Sequence, residues 1–110
     1  MKEFIAKVSV DSFAKSNPYT IWVDDVNDEI CVFKNNDGNY VAYSNICPHF
    51  GGFFFEPEKD LIKCKFHGWV FSLKDGKCKT YPNINCKIKI YHCHIDEGDA
   101  VLIYREKLLK

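Results

Sequence analysis

Glu29-Ile-Cys-Val-Phe-Lys-Asn-Asn-Asp-Gly-Asn-Tyr-Val-Ala-Tyr43 holds two β-type runs, Glu29–Phe33 and Tyr40–Tyr43, around a turn-forming Asn35–Asn39. Asp-Gly between β-branched and aromatic residues is a strong hairpin signal, because glycine enters the left-handed backbone region without steric cost. The same grammar extends in both directions. Phe4–Val10 alternates as a strand and Tyr19–Val23 is β-branched and aromatic. Leu61–Cys64, Trp69–Leu73 and Cys78–Tyr81 are further short runs, with Asp75-Gly76 as a turn. In Cys86–Ile95, Ile88 and Ile90 fall on one face and Lys87 and Lys89 on the other; Glu97-Gly98-Asp99 then turns into Ala100–Tyr104. Lys107–Lys110 reads as a loose or weakly helical tail. Runs spaced at roughly 8 to 12 residues, with no long helical period, predict an all-β antiparallel sandwich or small barrel.

With 110 residues the chain is read as a single domain, 1–110. Apolar residues at 46% and aromatics at 15% supply a core and argue against disorder. The formal net charge is zero and no basic block stands out, which disfavours nucleic acid as a partner. MKEFIAKVSV lacks a signal-peptide apolar run, and nothing approaches the roughly 20 apolar residues of a membrane helix. The expectation is a cytoplasmic protein without a membrane partner, in a compartment that keeps thiols reduced. Metal binding is then the first reading for some of Cys31, Cys47, Cys64, Cys78, Cys86 and Cys93.

Spacing selects which. Cys47-Pro-His49-Phe-Gly-Gly is followed, after the fourteen residues that separate His49 from Cys64, by Cys64-Lys-Phe-His67-Gly-Trp. Each half offers one thiol and one imidazole, together a full ligand set. Thiolates suit iron and sulfide, and neutral imidazoles remove negative charge from the centre. A cluster held this way has a potential of roughly −150 to +300 mV, against about −400 mV for a plant-type four-thiolate ferredoxin. The same four donors also permit a zinc site.

The motif resembles that of the Rieske proteins, Cys-x-His followed by Cys-x-x-His, and Gly68, Trp69 and Phe71 match the family's H-G-W-x-F run. Asp75-Gly76 and Pro82 fall at the family's hairpin and proline loop, so the likeness spans about Glu29–Tyr104. It implies one [2Fe–2S] cluster in a two-loop subdomain at about 45–82. Cys47 and Cys64 would hold one iron, and His49 and His67 the other. Gly51, Gly52 and Gly68 would let backbone amides approach the sulfurs.

The departures from the pattern carry information. Phe53-Phe-Phe-Glu-Pro-Glu58 replaces the usual Leu- and Gly-containing stretch. Lys65 replaces a proline after Cys64 and puts a cation near the cluster, which favours the reduced state. Gly52 and Phe66 stand where respiratory members have bridging cysteines. Trp69 stands where they have a hydroxyl that bonds the cluster, which points to the lower half of the potential range.

The implied function is one-electron transfer from a reductase to an oxygenase or similar terminal enzyme, as an electron-transfer component with no catalysis of its own. Docking would occur near His49 and His67, with Phe50, Phe53 and Phe66 either shielding the cluster, the favoured reading, or forming an exposed apolar rim. The alternatives are a subunit bound permanently to a larger oxidoreductase and a zinc-stabilised binding module. His92-Cys93-His94 is not read as a joint site, because strand alternation sends Cys93 to the opposite face. Cys31, Cys78 and Cys86 read as small packed strand residues, a Cys78–Cys86 bridge requiring an oxidising setting.

Overall fold

The structure is a computed structural model that describes residues 2–47 and 51–106. The strands are β1 (Lys2–Ser9), β2 (Tyr19–Val23), β3 (Asp28–Lys34), β4 (Tyr40–Ser44), β5 (Leu61–Lys63), β6 (Val70–Ser72), β7 (Ile90–Asp96) and β8 (Ala100–Glu106). Six form one antiparallel sheet in the order β1-β8-β7-β4-β3-β2, curled into a half-barrel, and β5 and β6 form a separate two-stranded sheet. The all-β expectation is met, including the β3–β4 hairpin. Its turn closes through the Gly38 amide on the Asn35 carbonyl at 3.0 Å, while the Asn35 side chain accepts from the Asp37 and Asn39 amides. Lys107–Lys110 lies outside the described residues.

Two expected runs form less strand than their sequence suggests. Cys78–Tyr81 makes only an isolated bridge, Cys78 to Phe71. The Thr80 hydroxyl, not a backbone carbonyl, accepts from the Val70 amide at 2.8 Å, and Pro82 has no N–H to continue a ladder. Cys86–Lys89 is likewise irregular until Ile90, although Ile88 is buried and Lys87 and Lys89 are exposed as the alternation required.

Two hydrophobic cores result. One lies within the curled sheet, around Val8, Ile30, Val32, Ala42, Tyr91, Val101 and Ile103. The other joins β3 and β4 to the small sheet through Tyr43, Phe54, Ile62, Phe71 and Leu73, and contains both Cys47 and Cys64. Between β3, β4 and β7, the Tyr91 hydroxyl donates to Asp28 Oδ2 at 2.7 Å and the Ser44 hydroxyl donates to Oδ1 at 2.9 Å, so this buried carboxylate is satisfied on both oxygens.

Burial raises the thiols of Cys31 and Cys93 and the phenols of Tyr43 and Tyr91 above their ordinary values. A raised folded-state pKa favours the protonated form, so this stability is present below the unfolded values, about 8.5 for Cys and about 10 for Tyr, and is lost as pH rises through the folded values. The expected result is a melting temperature that declines above about pH 9. A temperature flat to about pH 11 by circular dichroism would contradict this linkage.

Candidate metal centre

Cys47 and Cys64 open two loops with the same backbone wiring. The Cys47 amide donates to the Gly52 carbonyl and the Gly51 amide to the Cys47 carbonyl, at 2.6 and 2.8 Å. Seventeen positions on, the Cys64 amide donates to the Trp69 carbonyl and the Gly68 amide to the Cys64 carbonyl, at 2.9 and 3.0 Å. The amide four residues beyond each cysteine belongs to a left-handed glycine, Gly51 at φ 74° and Gly68 at φ 69°. A side chain there costs roughly 1–2 kcal/mol. Gly68→Ala is therefore expected to lower stability by about that much in urea unfolding, and an unchanged midpoint would contradict the turn assignment. The N–H groups of both glycines thus close their own loops.

The loops are tied together at three points. The Lys65 amide donates to the Phe53 carbonyl at 2.8 Å, a bond that a proline at this position would forfeit. Phe54 and Cys64 form an antiparallel bridge, which buries Phe54 and leaves Phe53 and Phe55 outside. The Phe66 ring lies over Gly52 in the space a Cβ would need, so an aromatic contact occupies the two positions where respiratory relatives would carry cysteines.

Cys47 and Cys64 are 1% and 0% exposed, at the floor of the loops, whereas His67 is exposed. His49, the remaining candidate ligand, and Phe50 lie outside the described residues. Among the described residues no three His, Cys, Asp or Glu side chains converge as a single-ion site would require. A diiron cluster divides its donors between two metals. Two buried sulfurs and a surface imidazole match the donor types of such a cluster. The shielding role favoured for Phe53 and Phe66 is corrected, because they are 48% and 63% exposed.

Two packing features were not read from the sequence. Trp69 and Tyr81 pack at a tilt of 57° with centroids 4.7 Å apart, holding the Pro82 loop against the second cysteine loop. Phe54 is the other: three residues of one type ahead of Glu56 and Pro57 give no sign of which turns inward. Elsewhere, His92 pairs with Glu106 at 3.3 Å and His94 stacks on Tyr104, while the Cys93 thiol turns inward to donate to the Tyr40 carbonyl. The three do not form a joint site. Cys31 and Cys78 are buried thiols, and Cys86 is a half-buried one.

The Rieske [2Fe-2S] domain pattern matches residues 4–95. The chain belongs to the Rieske family. Its cofactor is one [2Fe–2S] cluster. It is 31% identical over 94 residues to the ferredoxin component of the alkene monooxygenase system of Xanthobacter autotrophicus, covering 80% of this chain and 72% of that protein. It is 34% identical over 64 residues to cholesterol 7-desaturase nvd of Hemicentrotus pulcherrimus, covering 56% of this chain and 14% of the desaturase. The Rieske chain thus spans about one seventh of such large relatives. The ferredoxin of Sphingomonas yanoikuyae B1 shares the fold, with a TM-score of 0.69, 24% identity, and coverage of 93% of this chain and 99% of that one. No helix among the described residues is long and apolar enough to cross a membrane.

Proposed function

We propose that this Rieske chain is a one-electron carrier in which Cys47 and Cys64 hold one iron of the cluster and His49 and His67 the other. The observation that carries this reading is the pair of equivalent loops, each seating a buried cysteine, with the second loop's histidine at the surface. When bound, the cluster supplies a single reversible electron. The chain's residues supply the surroundings. Tyr43, Phe54 and Phe71 exclude water beneath the sulfurs. His67 offers a surface edge for transfer, with Phe53 and Phe66 beside it as an apolar contact zone.

The partners on this reading are a reductase that delivers the electron and an oxygenase or similar terminal enzyme that receives it. The support is the ferredoxin component of the alkene monooxygenase system, which the chain covers over most of its length. The likeness to a short part of the desaturase favours a second reading, a Rieske subunit held permanently by a larger oxidoreductase. Size-exclusion of the native assembly separates a free carrier from such a subunit. A single domain, 1–110, working in the reducing cytoplasm suits a chain with six cysteines.

Anaerobic titration of the cluster-loaded protein with dithionite tests the reading. One electron taken up per cluster and returned to ferricyanide is the expected result. No reversible uptake by protein containing iron and sulfide would defeat it.

A further inference from the structure

We propose that the face around His67 docks an acidic protein surface. The inference rests on the carrier reading, but its evidence is separate, because the formal charge of zero conceals an uneven distribution. Residues 45–89 hold eight lysines and four carboxylates, net +4, while the rest hold seven Lys or Arg and eleven carboxylates, net −4. Of these lysines, Lys63, Lys65 and Lys79 flank the second cysteine loop. Positions 46–55 and 64–70 contain no carboxylate. The Lys63 stem reaches Gly68, beside His67: its Cε lies 3.4 Å from where a Cβ on that glycine would sit. The Lys65 ammonium stands 5.7 Å from the centre of the Phe55 ring. The Lys79 amide donates to the Val70 carbonyl, at the end of the second loop.

Nearby acids offset this only in part. Asp60 is paired with Lys74 at 3.6 Å, and Asp75 accepts from the Lys77 amide within its own turn. Glu56 lines a cavity with Lys65, and Glu58 lines one with Lys59 and Lys63. Among the described residues Lys63, Lys65 and Lys79 make no ion pair, so their charge is available to a partner.

An apolar centre of Phe53 and Phe66 with a cationic margin has the anatomy of a protein-docking patch. Its electrostatic complement is a carboxylate-bearing margin around the partner's redox centre. Such complementarity acts mainly on encounter rate and orientation. A nucleic acid would call for a denser basic stripe than this face carries.

The test is voltammetry of the cluster-loaded chain on gold bearing carboxylate-terminated or ammonium-terminated monolayers. Transfer should be about tenfold or more faster on the carboxylate surface at low salt. The difference should vanish near 1 M salt, where screening acts within about 3 Å. Lys63→Glu/Lys65→Glu should reverse the preference. Lys7→Glu/Lys15→Glu, the same charge change on β1 and at the end of the 3-10 turn that follows it, should keep it. Iron, sulfide and the reduced EPR spectrum are measured on each protein. A wild-type chain with no cluster and no wave on either surface overturns the carrier reading and this proposal with it. An intact cluster with equal rates on both surfaces, or faster transfer on ammonium, overturns the acidic-partner proposal alone. Sedimentation with phosphatidylserine vesicles that depends on Lys63 and Lys65 would assign the face to a membrane and overturn it as well.

Discussion

Cys64→Ser is expected to yield a folded but nearly colourless protein, its iron and sulfide reduced from about two of each per chain to a small residue. Cys64 is fully buried, and its loop is closed by backbone bonds from its own amide and carbonyl, which serine retains. The loss therefore falls on the sulfur. A neutral hydroxyl supplies neither the negative charge nor the softness that iron requires of this ligand. Cys78→Ser is the matched control: its thiol is 3% exposed and lies in the same core, but outside the two loops. It should keep the cluster. Iron and sulfide assays with the visible spectrum decide the matter, and full occupancy in Cys64→Ser would remove Cys64 from the ligand set.

Phe71→Ala is expected to cost about 3–5 kcal/mol, a large share of the roughly 5–15 kcal/mol that holds a domain together. Phe71 is completely buried and meets Phe54 edge-on at 5.8 Å. It pairs with Ile62 across the small sheet and bridges to Cys78. Its core also contains Cys47 and Cys64, so the cavity should loosen the seats of both thiols and weaken cluster retention along with stability. Phe53→Ala, on the exposed rim, should change stability by no more than about 0.5 kcal/mol. Urea unfolding followed by circular dichroism measures both. A cost below about 1 kcal/mol for Phe71→Ala would show that this core does not support the loops.

The β3–β4 hairpin was legible because Asn35 and Gly38 meet local requirements that hold in any surroundings. The cysteine and histidine positions were legible because a ligand set has few acceptable spacings. Cys78–Tyr81 was over-read, because β-type residues do not reveal that the Thr80 hydroxyl replaces a backbone partner of Val70. The aromatic rim was misjudged for a related reason. Phe53, Phe54 and Phe55 are identical in type, and only the pairing of Phe54 with Cys64 decides which one turns inward. The Phe66–Gly52 and Trp69–Tyr81 contacts join residues from separate loops, and no local pattern announces them. The charge asymmetry lay open in the sequence, but a sum of zero hid it until the fold put Lys63 against Gly68.

The most direct measurement is the low-temperature EPR spectrum of the dithionite-reduced protein, read beside its iron and sulfide content. Ligation of one iron by His49 and His67 and of the other by Cys47 and Cys64 predicts a rhombic signal. Its average g lies below that of a four-thiolate cluster, at one spin per two irons. A four-thiolate spectrum, or anaerobically prepared protein holding stoichiometric zinc and no iron, would contradict it.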